Sequence, residues 1–208
     1  MAGEQFVLVG DAPADQAFQF FRIDPVALGA LDLLDDHERF FAMFVGDGEC
    51  RAALESLARE LGIESRVRFA GRIDMDATGT AALQAAYADA DVFCLPSTDR
   101  AESFGIVLLE AMRARLPIIA SAIPGSGVNH VVQADVTGLL VPPGDVAALA
   151  AALRRLAADP ALREKLGASG ERRWRDDFTL DRAAARTLDL YRQLLPGAVA
   201  YAAAKPPG

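Results

Sequence analysis

The 208-residue sequence predicts an α/β fold with a single doubly wound, Rossmann-like parallel sheet of about six strands and flanking helices. Most of its short apolar runs are continuously apolar instead of alternating, which is typical of parallel strands covered on both faces. Segments with helical spacing separate these runs, and strand alternating with helix predicts a doubly wound sheet. Strands are predicted at 6–10, 42–46, 67–71, 92–97, 117–121 and 138–142, and helices at 51–61, 80–88, 104–114 and 146–158.

The chain is predicted to form one domain over residues 1–195, followed by a disordered tail over 196–208. A single core commonly serves a chain of up to about 200 residues. After Asp159-Pro160, where the proline fits a first helical turn, the sequence is almost entirely helical to Leu195 with one break near residues 178–180. The tail is rich in Ala, Pro and Gly and is expected to be frayed.

Composition and charge limit the classes of partner. Hydrophobic residues make up 52% and charged residues 24%, a balance typical of globular proteins. The net charge of -8 repels nucleic acid and anionic membranes, so local groups would have to hold a phosphate-bearing ligand. The amino terminus resembles no secretory signal, and no apolar run approaches the ~18 residues of a membrane span. We therefore expect a cytoplasmic protein with reduced cysteines and no nucleic-acid partner.

The candidate site follows the fourth predicted strand. Glu102 precedes a helix and Glu110 lies about six residues inside it, a rise of roughly 9 Å. This separation resembles the distance between the sugar and the ribose of a nucleotide sugar. A diphosphate between them would lie over the amino terminus of the helix, where the N–H groups of Phe104, Gly105 and Ile106 point outward and the dipole favours negative charge.

A structural alternative stays open at this point. Glu102 would then cap the helix, and Glu110 would be a solvated helix residue. Glu110 lies among the apolar residues Leu108, Leu109 and Ala111, and such neighbours disfavour a purely solvated role. The spacing of the residues alone does not decide between the two interpretations.

Five segments match, in order, the motifs of a known family. They are Val45-Gly-Asp-Gly-Glu49, Val67-Arg-Phe-Ala-Gly-Arg72 (a V-x-F-x-G strand), residues 88–97, residues 102–112 (glutamate, seven residues, glutamate) and residues 137–145. Through them the chain from residue 44 to about 195 resembles the carboxy-terminal, donor-binding domain of family 4 glycosyltransferases, which are retaining enzymes of GT-B architecture.

The resemblance implies a role for each candidate residue. The first glutamate of the signature contacts the transferred sugar and the second hydrogen-bonds the ribose, which makes Glu102 catalytic and Glu110 donor-binding. Further donor contacts are implied for Ser103, Phe104, Gly105, Ile106, Gly71 and Arg72. The implied reaction moves a hexose from a UDP- or GDP-sugar to a glycan or lipid-linked acceptor in bacterial polysaccharide synthesis. It needs no metal or other cofactor, and His37 and His130 have no partner spacing for a metal site.

Residues 1–40 are atypical for that family, which grips the donor diphosphate there with an arginine and a lysine. Here Asp11 follows Val9-Gly10, and the nearest cation is Arg22. Either Arg22 substitutes for the clamp or the clamp is absent. Because Asp11 would repel a diphosphate, an alternative function is a degenerate, non-catalytic half that serves subunit assembly or regulation.

A second departure is the segment 125–132, where many family members have a glycine pair and a glutamate. Its Gly-Ser-Gly-Val resembles a subgroup that often uses mannose donors, and His130 falls near the usual glutamate position, where a structural role is equally open.

The sequence provides strands for one domain, whereas GT-B enzymes close two domains over the donor. We therefore expect an inactive half-enzyme in isolation, which needs an amino-terminal acceptor domain or a partner chain. Any peripheral contact with the inner membrane would come from that missing half. An apolar stripe through Leu188, Tyr191 and Leu194 is expected to be exposed and to support self-association or partner binding.

Overall fold

The computed structural model describes residues 4–9, 25–34, 40–46, 48, 50–73, 77–98 and 104–194. The strands in these ranges are β1 (Glu4–Val9), β2 (Phe40–Val45), β3 (Val67–Gly71), β4 (Val92–Leu95), β5 (Ile118–Ser121) and β6 (Gly138–Val141). The helices are α1 (Pro25–Asp32), α2 (Arg51–Glu60), α3 (Ala77–Ala88), α4 (Ile106–Arg113), α5 (Val128–Val131), α6 (Val146–Ala158), α7 (Pro160–Arg173) and α8 (Leu180–Leu194). A 3-10 turn (Glu64–Arg66) precedes β3, and a π-helical turn (Trp174–Phe178) joins α7 to α8.

The strands form one parallel sheet in the order β3-β2-β1-β4-β5-β6. The chain builds outward from β1 to β3 and then returns to place β4 on the other side of β1, where Leu8 pairs with both Phe44 of β2 and Cys94 of β4. The predicted α/β, doubly wound fold class is confirmed. The strand order reverses between β1 and β4, and in open sheets of this kind ligands bind at the carboxyl ends of the strands beside such a reversal.

Both faces of the central part of the sheet are covered, which explains why most of its strands are continuously apolar. The edge strand β3 differs, because its Arg68 is exposed. Along β4, Val92 and Cys94 join a core cluster with residues of α1, α2 and α6, whereas Phe93 and Leu95 join a second cluster with residues of α4 and α5. Burial raises the pKa of the Cys94 thiol far above its ordinary value, so this thiol stays protonated and acts as a core side chain.

The structure adds two helices that the sequence did not predict, α1 and α5. α1 packs against α6 through Gly29, where an added Cβ would lie 3.2 Å from Cγ1 of Val146. Tertiary packing of this kind stabilises a helix of two turns that its own residues would not stabilise. The break predicted near residues 178–180 lies at Thr179, whose extended backbone separates the π-helical turn from α8.

α8 has no buried side chain. Its Leu188, Tyr191 and Leu194 are each more than half exposed, so the apolar stripe expected from the sequence lies on the surface of the described chain. Neither α8 nor another helix in the described ranges combines the length and the apolar character needed to cross a membrane.

Candidate functional site at the β1–β4 strand reversal

The candidate site lies where β4 leads into α4, beside the carboxyl end of β1. Because α4 follows a parallel strand, its amino terminus faces the carboxyl edge of the sheet, where the predicted diphosphate would lie. Three predicted site residues lie outside the described residues: Glu102, Ser103 and Arg22. Asp11, which would repel a diphosphate, lies outside them as well. The described candidates are Phe104, Gly105, Ile106, Glu110, Gly71 and Arg72.

Gly105 fixes the start of α4. It is the N-cap residue and has a left-handed backbone, with φ 77° and ψ 60°. A Cβ at this position would lie 2.5 Å from Cδ1 of Leu108, which is fully buried. No side chain of the described residues caps this helix end. The amino-terminal N–H groups of α4 are therefore presented by backbone geometry that glycine alone adopts without strain.

Glu110 lies on the second turn of α4 and is half-buried. Its Oε2 accepts a hydrogen bond of 2.9 Å from the hydroxyl of Tyr87 at the end of α3. Burial, and then the charge and hydrogen bond of Glu110, raise the pKa of Tyr87 far above its ordinary value, so the hydroxyl keeps its proton. Glu110 therefore has a fixed hydrogen-bond donor within the protein. The structural alternative required a purely solvated glutamate, which this one is not.

The glycine turn at the end of β3 lies at the same edge of the sheet. Gly71 has φ 74°, and its carbonyl accepts a hydrogen bond of 2.8 Å from the N–H of Gly46. Arg72 follows it and is exposed. β2 and β1 separate this turn from β4, so the two predicted groups of donor contacts are about 14 Å apart at the usual strand spacing.

An aromatic cluster flanks the amino terminus of α4. The ring of Phe178 meets Phe104 edge-on at 6.2 Å and His130 at 6.0 Å, and the guanidinium of Arg173 lies 5.1 Å from its centroid. Arg173 also donates to the carbonyl of His130 at 2.7 Å. His130 is therefore built into a packing arrangement beside the candidate site. The described residues contain no group of three or more His, Cys, Asp or Glu that would hold a metal ion.

Two arginines hold the π-helical turn that carries Phe178. The Asp177 carboxylate accepts from Arg186 at 2.5 Å and from Arg173 at 3.2 Å. The hydrogen bond from Arg186 is the main cause that lowers the pKa of Asp177 below its ordinary value. Burial opposes this shift, and the charges of Arg186, Arg173 and His130 add to it. These pairs join the turn to α7 and α8, and Arg173 also joins it to α5 through the carbonyls of His130 and Val131, so they help to fix the aromatic cluster beside Phe104.

Tyr87 and Phe178 are the site residues that the sequence analysis did not single out. Tyr87 is the one aromatic residue of the alanine-rich helix α3, which is the sequence signal that would have drawn attention to it. Phe178 adjoins the predicted helix break, but no local pattern links it to Phe104.

A doubly wound sheet with a glycine-started helix at its strand reversal places this chain in the class of α/β domains that bind ligands at the carboxyl edge of the sheet. The family model for glycosyl transferases group 1 matches residues 25–173, and the chain belongs to this family.

The chain is similar to known members over most of its length. It is 36% identical over 163 residues to the lipopolysaccharide core biosynthesis glycosyltransferase LpsD of Rhizobium meliloti, covering 78% of this chain and 44% of that protein. Sucrose-phosphate synthase of Thermosynechococcus elongatus superposes with a TM-score of 0.72 at 33% identity, over 93% of this chain and 46% of that one. HepE of Anabaena in complex with UDP-glucose superposes with a TM-score of 0.70 at 24% identity, over 88% and 48%. The chain therefore spans less than half the length of each of these proteins.

Proposed function

We propose that this chain is the donor-binding domain of a retaining glycosyltransferase, which moves a hexose from a UDP- or GDP-sugar to a glycan or lipid-linked acceptor. The observation that carries the proposal is the geometry of α4, whose glycine-started amino terminus and half-buried Glu110 lie one behind the other at the strand reversal. The helix amino terminus favours a diphosphate, and the carboxylate favours the hydroxyl groups of a ribose. HepE has a similar fold and binds UDP-glucose.

Each candidate residue contacts a different part of the donor. Glu102 contacts the transferred sugar, the backbone from Ser103 to Ile106 binds the diphosphate, and Glu110 accepts hydrogen bonds from the ribose. An extended nucleotide reaches on toward Gly71 and Arg72, since both lie along the same edge of the sheet. Arg22 supplies a further positive charge to the diphosphate.

No metal ion is needed in the proposed site. The amino terminus of α4 provides the positive potential that a divalent cation provides in other transferases, and it stabilises the departing diphosphate. Binding of UDP or GDP is accordingly expected to be unchanged by a chelator such as EDTA.

Titration calorimetry with UDP, GDP and their sugars tests the donor site. Glu110→Gln is expected to weaken binding of the free nucleotide by about 1 to 3 kcal/mol, because a charged acceptor becomes a neutral amide. Glu102→Gln is expected to leave the affinity for the free nucleotide nearly intact and to weaken binding of the nucleotide sugar alone.

Equal losses of free-nucleotide affinity in the two variants would contradict this division of roles. A folded wild-type chain that binds no nucleotide at millimolar concentration would exclude the donor site altogether. The chain would then fit the alternative of a non-catalytic half that serves subunit assembly or regulation.

The chain on its own is expected to transfer no sugar to an acceptor, even when it binds donor. Closure of a second domain positions the acceptor hydroxyl and excludes water, and such orientation supplies about 7 to 11 kcal/mol of a reaction barrier. The described strands form one sheet, and the relatives are more than twice as long as the matched region. Product formation from a labelled nucleotide sugar is the measurement. Transfer at an ordinary enzymatic rate that Glu102→Gln abolishes would overturn the expectation.

A further inference from the structure

We propose that Tyr87 is a positioning residue for Glu110, which aims its carboxylate at the ribose hydroxyls of the donor nucleotide. This inference rests on the proposed donor site and adds a residue to it. The observation behind it is the hydrogen bond of 2.9 Å from the Tyr87 hydroxyl to Oε2 of Glu110, which links the end of α3 to the second turn of α4.

Tyr87 is the fixed member of the pair. Its side chain is 5% exposed, and its ring packs 5.9 Å from that of Phe93, a fully buried residue of β4. Glu110 is half-buried and reaches the hydroxyl through a side chain with several rotatable bonds. The core therefore sets the position of the hydroxyl, and the hydroxyl in turn selects the rotamer of the glutamate.

The hydrogen bond leaves Glu110 with acceptor capacity to spare. An ionised carboxylate has about four acceptor sites on its two oxygens. The Tyr87 hydroxyl takes one site on Oε2, and its raised pKa keeps it a donor. Three acceptor sites then remain, two on Oε1 and one on Oε2, which is enough for the two donors that a ribose with vicinal hydroxyls presents.

A purely structural role for the pair makes a different prediction. A buried tyrosine hydroxyl needs an acceptor, and Glu110 would serve as that acceptor whether or not a ligand binds. Loss of the hydroxyl would then change the stability of the protein and leave unchanged the preference for ribose over deoxyribose. Positioning requires that this preference falls.

The first test measures the ribose preference of the full 208-residue chain by calorimetry with UDP and 2′-deoxy-UDP, or the guanosine pair if the wild type prefers it. Tyr87→Phe is expected to weaken binding of UDP about three- to tenfold and that of the deoxy analogue little, so that the ratio of the two Kd values falls toward one. Tyr191→Phe removes a hydroxyl from a 54% exposed tyrosine of α8 and is the matched control, with both affinities unchanged.

The second test is a double-variant cycle. In Glu110→Gln the Tyr87 hydroxyl is expected to donate its hydrogen bond to the oxygen of the new amide. The NH₂ group of the amide then faces the ribose. In the Tyr87→Phe background the amide is free to turn, so Glu110→Gln is expected to cost less than it does alone, and the double variant is expected to bind UDP within about twofold of the weaker single variant.

The outcomes separate the two proposals. Equal losses of UDP and 2′-deoxy-UDP affinity in Tyr87→Phe, or fold-changes that multiply in the double variant, overturn the positioning role while the donor site stands. A folded wild type that binds neither uridine nor guanosine diphosphate overturns the donor site, and the positioning role with it. Circular dichroism of each variant confirms that the affinities refer to folded protein.

Discussion

Gly167→Ala is expected to lower the free energy of unfolding by about 2 to 4 kcal/mol, although alanine is the better helix former. Gly167 lies in α7, where that helix crosses the turn after α4. A Cβ at this position would lie closer than 3.0 Å to the carbonyl oxygen of Arg115 and 3.0 Å from its carbonyl carbon. The contact is with the backbone of Arg115, which already has a positive φ of 62°. The methyl group can therefore be accommodated only if α7 or α4 moves.

Gly170 provides a matched control three residues along the same helix. The nearest atom to its added Cβ is Cγ of Met112 at 3.4 Å, an ordinary contact with a side chain. Gly170→Ala is therefore expected to be neutral or to stabilise the protein by up to about 1 kcal/mol, the difference in helix propensity. Urea denaturation of the two variants gives the comparison. If both variants gain stability, α7 does not approach the α4 turn as closely as described.

This contact bears on the candidate site because α7 fixes the carboxyl end of α4. The other end of α4 carries the proposed diphosphate site, and the two ends are separated by eight residues of rigid helix. A displacement of α7 therefore displaces the amino terminus of α4 relative to β4. The loss of stability in Gly167→Ala is expected to come with weaker nucleotide binding for this reason.

The fold could be predicted from the sequence because the two buried faces of the sheet leave a plain signal. β4 is apolar at all four positions and β5 at three of four, with the buried Ser121 as its last residue, and such short runs are typical of parallel strands buried on both faces. No comparable pattern in the sequence indicates the order of the strands. That β4 lies beside β1 follows from packing of the whole sheet, not from a local pattern.

The candidate site was predictable where its chemistry lies in one segment. Gly105 and Glu110 belong to a single helix, and their spacing alone places them one behind the other. Tyr87 is 23 residues from Glu110 in the sequence, and only the folded sheet brings α3 against α4. Phe178 meets Phe104 for the same reason, since it arrives from the turn after α7.

Gly105→Ala is expected to be the substitution that most strongly damages the proposed donor site. Two effects add at this position. A left-handed backbone costs a residue with a side chain roughly 1 to 2 kcal/mol, and the new methyl group would lie 2.5 Å from Cδ1 of Leu108 and 3.6 Å from Cδ2 of Leu95. Both leucines are buried in the core beneath the site, so the start of α4 has to move instead.

Gly144→Ala separates these two effects. Gly144 has the same φ of 77°, but among the described residues the only atom near its added Cβ is Cγ2 of Thr98 at 4.0 Å. Gly144→Ala is therefore expected to lose only the conformational part, about 1 to 2 kcal/mol in urea denaturation. Gly105→Ala is expected to lose about 1 to 3 kcal/mol more.

The two variants are expected to differ in nucleotide affinity as well. The amino-terminal N–H groups of α4 bind the diphosphate only when the helix starts at its native position, because hydrogen bonds weaken steeply when the donor loses its distance and alignment. Gly105→Ala should therefore bind UDP or GDP at least tenfold more weakly than wild type in calorimetry, whereas Gly144→Ala, once folded, should bind normally. A Gly105→Ala protein that is destabilised yet binds nucleotide with wild-type affinity would show that the diphosphate is held elsewhere than at the start of α4.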